Sequence, residues 1–171
     1  MFIPNTPLKL ATQYGHIDAM KLLISEGANL HTKYLVRQNP LIYIAARYNQ
    51  ELALQLLIHT YGMNIDEVDM YGATSLHNVS FTNNTAAMTL LLDNGAFINV
   101  RDTYNDYTPI QWAIECGHIE ATQLLINRGA YVGNIGSNAN SVYVVGNMAS
   151  IERLLQQAGI NIRCRGSDHP S

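Results

Sequence analysis

The chain has 171 residues, of which 47% are hydrophobic and only 13% charged. That balance permits a sizeable core and excludes a disordered chain. A formal net charge of −3, from 10 basic and 13 acidic side chains, lacks the basic surplus that displaces phosphate counterions, which argues against a general nucleic-acid binder. Cys116 and Cys164 are too far apart to read as a close pair, so neither a disulfide scaffold nor a four-thiolate zinc knot is available. Met1–Leu10 holds no apolar run suited to a signal peptide, and no stretch approaches the roughly 20 apolar residues of a membrane span. A soluble protein, cytoplasmic or otherwise intracellular and without membrane contact, is expected.

The first predicted element is a short helix over Pro7–Tyr14. Thr6 suits its N-cap, and Pro7 suits a first position whose N–H would have no partner. Gly15-His16 breaks it. Ile17, Met20, Leu23 and Ile24 then form one apolar stripe of a second helix, and Gly27 stands where a C′ residue with positive φ belongs. The pair then recurs. Thr6-Pro7-Leu8-Lys9-Leu10-Ala11 aligns with Pro40-Leu41-Ile42-Tyr43-Ile44-Ala45, Thr74-Ser75-Leu76-His77-Asn78-Val79 and Thr108-Pro109-Ile110-Gln111-Trp112-Ala113, each step being 34 residues. Eleven residues after each comes a leucine pair, Leu22-Leu23, Leu56-Leu57, Leu90-Leu91 or Leu124-Leu125, and then Gly27, Gly62, Gly95 or Gly129. Such a unit cannot bury its apolar face alone, whereas stacked copies can. A fifth, degenerate unit ends in Leu154-Leu155 and Gly159. Its inner helix would be Ser141–Val145, a stretch weakened by β-branched residues.

These residues resemble the ankyrin repeat family, whose pattern runs Thr-Pro-Leu-His, Ala-Ala, Gly-His, Leu-Leu and Gly-Ala. The fourth copy carries Thr108-Pro109, Gly117-His118, Leu124-Leu125 and Gly129-Ala130; the third keeps Gly72, Leu76-His77 and Gly95-Ala96; the second has Asn49-Gln50 in place of Gly-His. The resemblance implies an all-α solenoid of stacked helix-turn-helix units with protruding finger loops. It places an ankyrin repeat domain at 1–162, with repeats at about 4–34, 35–68, 69–101 and 102–133, a cap at 134–162 and a frayed tail at 163–171. The extra residue per period requires insertions, one within His59–Gly62 and one in the finger Arg101–Tyr107.

Candidate chemistry is sparse. The resemblance makes His16, His77 and His118 structural, bonding backbone between fingers and helices. No histidine pair has metal-ligand spacing on a helix face, and no metal or cofactor is expected. Cys116-Gly117-His118 suggests a thiol catalyst, but nothing supplies the orienting third group. Gly133–Asn138 contains a Gly-x-x-Gly without the Lys-Ser/Thr of a phosphate loop, and reads as a junction.

The resemblance implies partner binding on the concave surface of finger tips and inner helices. Carried over, those positions are Tyr14, Arg37, Arg47, Tyr48, Met70, Tyr71, Phe81, Tyr104, Asn105, Tyr107 and Glu115, with Gln13, Asn39, Ala73, Thr82 and Cys116 beside them. Tyr and Arg combine contact area with directional polar groups. Charge is blocked along the chain: residues 1–50 carry +3, residues 51–120 −8 and residues 121–171 +2. A monomer that receives a partner's basic segment over the acidic middle repeats is expected. Family members act as scaffolds, inhibitors and targeting subunits, and some serve intracellular bacteria or viruses against host proteins. The Asn, Ile and Tyr content fits an AT-rich microbial or viral genome. Two alternatives stay open: a targeting fragment of a larger protein, and a small enzyme using Cys116.

Overall fold

The computed structural model describes residues 6–32, 39–132 and 148–159. Every regular element among them is helical. In chain order these are α1 (Pro7–Gln13), α2 (Ile17–Ser25), α3 (Leu41–Arg47), α4 (Glu51–Gln55), a π-helical segment (Leu56–Thr60), α5 (Ser75–Phe81), α6 (Thr85–Asp93), α7 (Pro109–Glu115), α8 (Ile119–Asn127) and α9 (Met148–Gln157). The fold is an all-α solenoid. Inner helices α1, α3, α5 and α7 pack in sequence, each also touching its own outer helix, while α6, α8 and α9 continue the outer layer. Gly133–Asn138, Ser141–Val145, Arg37, Cys164 and the tail lie outside the described residues.

The helices start where their caps dictate. Thr6 accepts from the Lys9 amide at 3.2 Å, with Pro7 at the first position. Thr74 and Thr108 open α5 and α7 in capping boxes that His77 and Gln111 complete. The core is one continuous cluster running from Leu8 through Met20, Leu54, Leu57, Leu76, Met88, Leu91, Ile110 and Leu125 to Leu155. Each inner-to-outer turn needs one left-handed residue. Gly15 and Gly117 fill that place in the first and fourth units, and Asn49 (φ 55°) and Asn83 (φ 54°) fill it in the second and third. Asparagine tolerates this region better than most residues, which is why Gly-His can become Asn49-Gln50 without loss of the turn.

The residue after that turn bridges neighbouring units, and its chemistry varies. Gln50 Nε2 donates to the Gln13 carbonyl (3.0 Å), Asn84 Nδ2 to the Ala46 carbonyl (3.4 Å), and His118 Nε2 lies 3.0 Å from the Phe81 carbonyl. The role that the resemblance gave to histidine is thus filled by three residue types.

The insertion near His59 is absorbed inside the helix. The Tyr61 amide reaches the Leu56 carbonyl, five residues back, at 3.2 Å, and Met63 reaches Leu57, six back. In the other three units Ala28, Ala96 and Ala130 reach only five back, to Leu23, Leu91 and Leu125. A π-turn accommodates one residue without disturbing the packing on either side. Deleting exposed Thr60 restores the common spacing and is expected to leave urea-unfolding stability within about 1 kcal/mol of wild type. A much larger loss would show that the bulge itself is needed for packing.

Candidate functional site

Two neighbouring fingers and the inner helices beside them build the candidate site. Each finger opens on an aspartate that holds its turn. Asp69 Oδ1 accepts from the Tyr71 amide (2.8 Å) and the Ala73 amide (3.0 Å), and Asp102 Oδ1 accepts from Tyr104 (3.0 Å) and Asn105 (2.7 Å). Backbone bonds close the loops, from Asp69 N to the Ala73 carbonyl and from Asp102 N to the Tyr107 carbonyl. The second finger carries the inserted residue. Asp106 there is left-handed (φ 59°), and Arg101 grips it through both its carboxylate (3.0 Å) and its carbonyl (2.6 Å).

The fingers are tied together. The Thr103 amide donates to the Tyr71 carbonyl at 2.8 Å, and a Cβ on Gly72 would meet Thr103 at 2.7 Å. Glycine is required there both for its φ of 71° and for this close approach. Buried His77 adds a second tie. Its Nδ1 accepts from the Thr74 amide (3.1 Å), so the neutral ring presents Nε2–H to the Tyr107 carbonyl (3.0 Å). Burial holds the His77 imidazole below its ordinary pKa, which favours that neutral form.

A hollow of about 220 Å³ opens between these elements, lined by Asp69, Tyr71, Ala73, His77, Asn78, Phe81, Asp102, Tyr104 and Trp112. Its aromatics meet edge to face: Tyr71 with Tyr104 and Phe81 with Trp112, each with centroids 5.5 Å apart. Trp112 Nε1 donates to Asp102 Oδ2 at 2.6 Å. The corresponding position one repeat earlier is Asn78, which donates to the Thr74 carbonyl instead. Asp69 Oδ2 is buried with no hydrogen-bond partner.

Of the residues singled out from the sequence, Tyr71, Phe81 and Tyr104 come together here. Met70 is exposed at the finger tip, and Asn105 is half-buried in the neighbouring finger. Tyr14, Arg47 and Tyr48 are exposed on earlier units and do not line the hollow; Arg47 donates to the Tyr43 hydroxyl at 2.6 Å. Tyr107 corrects the expectation of an exposed finger residue. It is only 9% exposed, packing against Trp112 at 6.1 Å between centroids. Its hydroxyl bonds half-buried Glu115, whose carboxyl burial pushes above the usual range and that bond draws back. Asn39 is likewise buried.

Sequence reasoning missed Trp112, the fourth residue of α7, at a repeat position to which it gave no special role. The available signal was that the sole tryptophan lies ten residues after a finger aspartate. Cys116 gains no thiolate character, because burial and then the neighbouring Glu115 push its thiol up, while His118 is committed to the Phe81 carbonyl. Among the described residues no group of three His, Cys, Asp or Glu is placed to hold a metal, and no helix is long and apolar enough to cross a membrane.

The sequence matches the family described as ankyrin repeats (three copies) over residues 41–136, and a further ankyrin repeat over residues 5–34. It is 29% identical over 128 residues to the transient receptor potential cation channel subfamily A member 1 homolog of Caenorhabditis elegans, covering 75% of this chain and 10% of that protein. It is 32% identical over 124 residues to ankyrin repeat protein nuc-2 of Neurospora crassa, covering 71% and 11%. A putative ankyrin repeat protein of Acanthamoeba polyphaga mimivirus is 26% identical over 167 residues, covering 96% of this chain and 21% of its own length. The matches thus span about a tenth to a fifth of these relatives, and what the remainder of each protein does belongs to that protein.

Proposed function

The chain belongs to the ankyrin repeat family, and from that premise we propose that it is a non-catalytic binding module that takes a partner protein on the concave face of its third and fourth repeats. The observation carrying this reading is the cluster of Tyr71, Phe81, Tyr104 and Trp112 around one hollow, with Phe81 and Tyr104 more than half exposed. Aromatic side chains offer large contact area at low conformational cost, and they are the residues most enriched at binding hot spots. The frame is already rigid through the finger ties, so little ordering is needed when a partner docks.

The acidic block of residues 51–120 supports a basic partner segment. Affinity capture from a eukaryotic lysate tests both statements. A protein held by the wild type is expected to be lost when Tyr71, Phe81 and Tyr104 are changed together to alanine, with helicity unchanged. Capture is also expected to weaken as salt rises from about 0.05 to about 0.5 M, because screening shortens the reach of the field. Equal capture by wild type and variant would move the site to the outer helices. Salt-independent capture would remove the basic segment.

A further inference from the structure

Two neighbouring fingers use the same aspartate differently, and the difference defines a ligand. In the fourth repeat Asp102 is complete: Oδ1 holds the finger turn and Oδ2 takes the Trp112 indole N–H. In the third repeat Asp69 Oδ1 holds its turn in the same way, but Oδ2 is left unpartnered although the residue is only 4% exposed. The polar side chains beside it are committed elsewhere. Both nitrogens of His77 are engaged, on Thr74 and on the Tyr107 carbonyl, and Asn78 donates to the Thr74 carbonyl. A buried acceptor without a donor is costly in a folded protein, and a carboxylate more so than a neutral group.

Resting on the concave-face reading above, we propose that this hollow is a pocket for an arginine side chain of the partner, its guanidinium donating to Asp69 Oδ2 between the aromatic walls. The charge fits. Asp69 and Asp102 both line the hollow, and the single basic residue of the surrounding acidic block, Arg101, is bonded to Asp106. The chemistry favours guanidinium over ammonium. A lysine head group is strongly hydrated and needs several acceptors to replace its water, whereas the hollow is lined by rings and by a carboxylate with one unpartnered, buried oxygen. A guanidinium is planar and weakly hydrated, and it stacks on Tyr, Phe or Trp while donating in its own plane.

Because Trp112 is the chain's only tryptophan and lines the hollow, its fluorescence reads occupancy directly. The probes are capped Gly-Gly-Arg-Gly-Gly and the same peptide with lysine or with citrulline, the uncharged isostere of arginine. The arginine peptide is expected to shift Trp112 emission saturably. The citrulline peptide should bind about tenfold or more weaker, and the lysine peptide measurably weaker. Asp69→Asn keeps an oxygen for the Tyr71 and Ala73 amides but replaces Oδ2 by a donor. This variant should weaken the arginine peptide about tenfold or more, with its melting temperature unchanged or raised. Asp106→Asn removes the same formal charge at the exposed finger end and should leave binding within about threefold of wild type. Equal binding of the citrulline or lysine peptide, full binding by Asp69→Asn, or no response from any peptide would overturn the pocket. Its failure is separable from that of the binding-module reading. A partner retained by Asp69→Asn but lost from the aromatic triple variant would sink the arginine pocket alone, whereas one retained by both would sink the concave site itself.

Discussion

Leu91→Ala is expected to cost about 3 kcal/mol in urea unfolding, on a total that for a domain of this size is of order 5–15 kcal/mol. Leu91 is fully buried in α6, near the middle of the stack, and its carbonyl receives the Ala96 amide that ends the helix. Truncation leaves a cavity whose walls belong to a continuous core, so little collapse can compensate. The position matters as much as the volume. Each unit of a solenoid touches only its neighbours, so damage in a middle unit weakens the coupling between the two halves of the array. The expected signature is a lower midpoint together with a shallower, or visibly two-step, transition. Leu22→Ala is the control. Leu22 belongs to the same leucine pair of the first unit but is 62% exposed, and the change should cost about 0.5 kcal/mol or less. A loss under about 1 kcal/mol for Leu91→Ala would contradict the full burial of this side chain in the continuous core.

His77→Gln should lower stability at neutral pH by about 1–2 kcal/mol and also change the pH dependence. Gln111 shows what glutamine does at this position: its Oε1 accepts from the Thr108 amide at 2.9 Å. The substitution therefore keeps the helix cap and removes the bond from Nε2 to the Tyr107 carbonyl, which joins the third repeat to the fourth. His77→Ala should cost more, because the cap goes too and a buried space is left. The sign of the pH effect follows from burial, which holds the folded-state pKa below the ordinary value of 6.5. The unfolded chain then binds the proton more readily, so the contribution is present above about pH 6.5 and is lost as pH falls towards the depressed folded value. Asp66 and Glu115 act in the opposite sense. Burial raises both, so the folded state takes up protons first and gains on acidification through the carboxylate range. A wild type that weakens between about pH 6.5 and 5, beside a His77→Gln variant that does not, would assign that limb to one imidazole. Parallel curves would place it elsewhere.

The period of 34, the leucine pairs and the glycines that follow them carried the architecture, because each answers to a fixed need: stacking, burial or a left-handed turn. Positive φ at Gly27, Gly95 and Gly129 meets that need directly. The structural histidines were legible in part. His77 and His118 bond as expected, while Gln50 and Asn84 make the same bridge with nothing in common but a donor at the right reach. Tyr107 was not legible. One residue inserted before it, with the left-handed turn passed to Asp106, brings a large ring inward at the position where the third repeat has Ala73. The inequality of the two finger aspartates was not legible in the sequence. Asp69 and Asp102 look identical until the residue near each carboxylate, Asn78 or Trp112, is placed in space.

The join between the fingers bears on how the proposed site would tell partners apart. With Thr103 seated on Gly72 and Tyr71, moving one loop apart from the other must break the backbone bond that joins them. Soft binding surfaces accept many sequences by adjusting to each. On the proposed binding face, a frame of joined fingers would select chiefly by refusal, since a mismatched residue would itself have to deform or stay in water. The range of sequences tolerated opposite the hollow should therefore be narrow even if the affinity for the right one is modest, and loosening that join would broaden the range before it abolished binding.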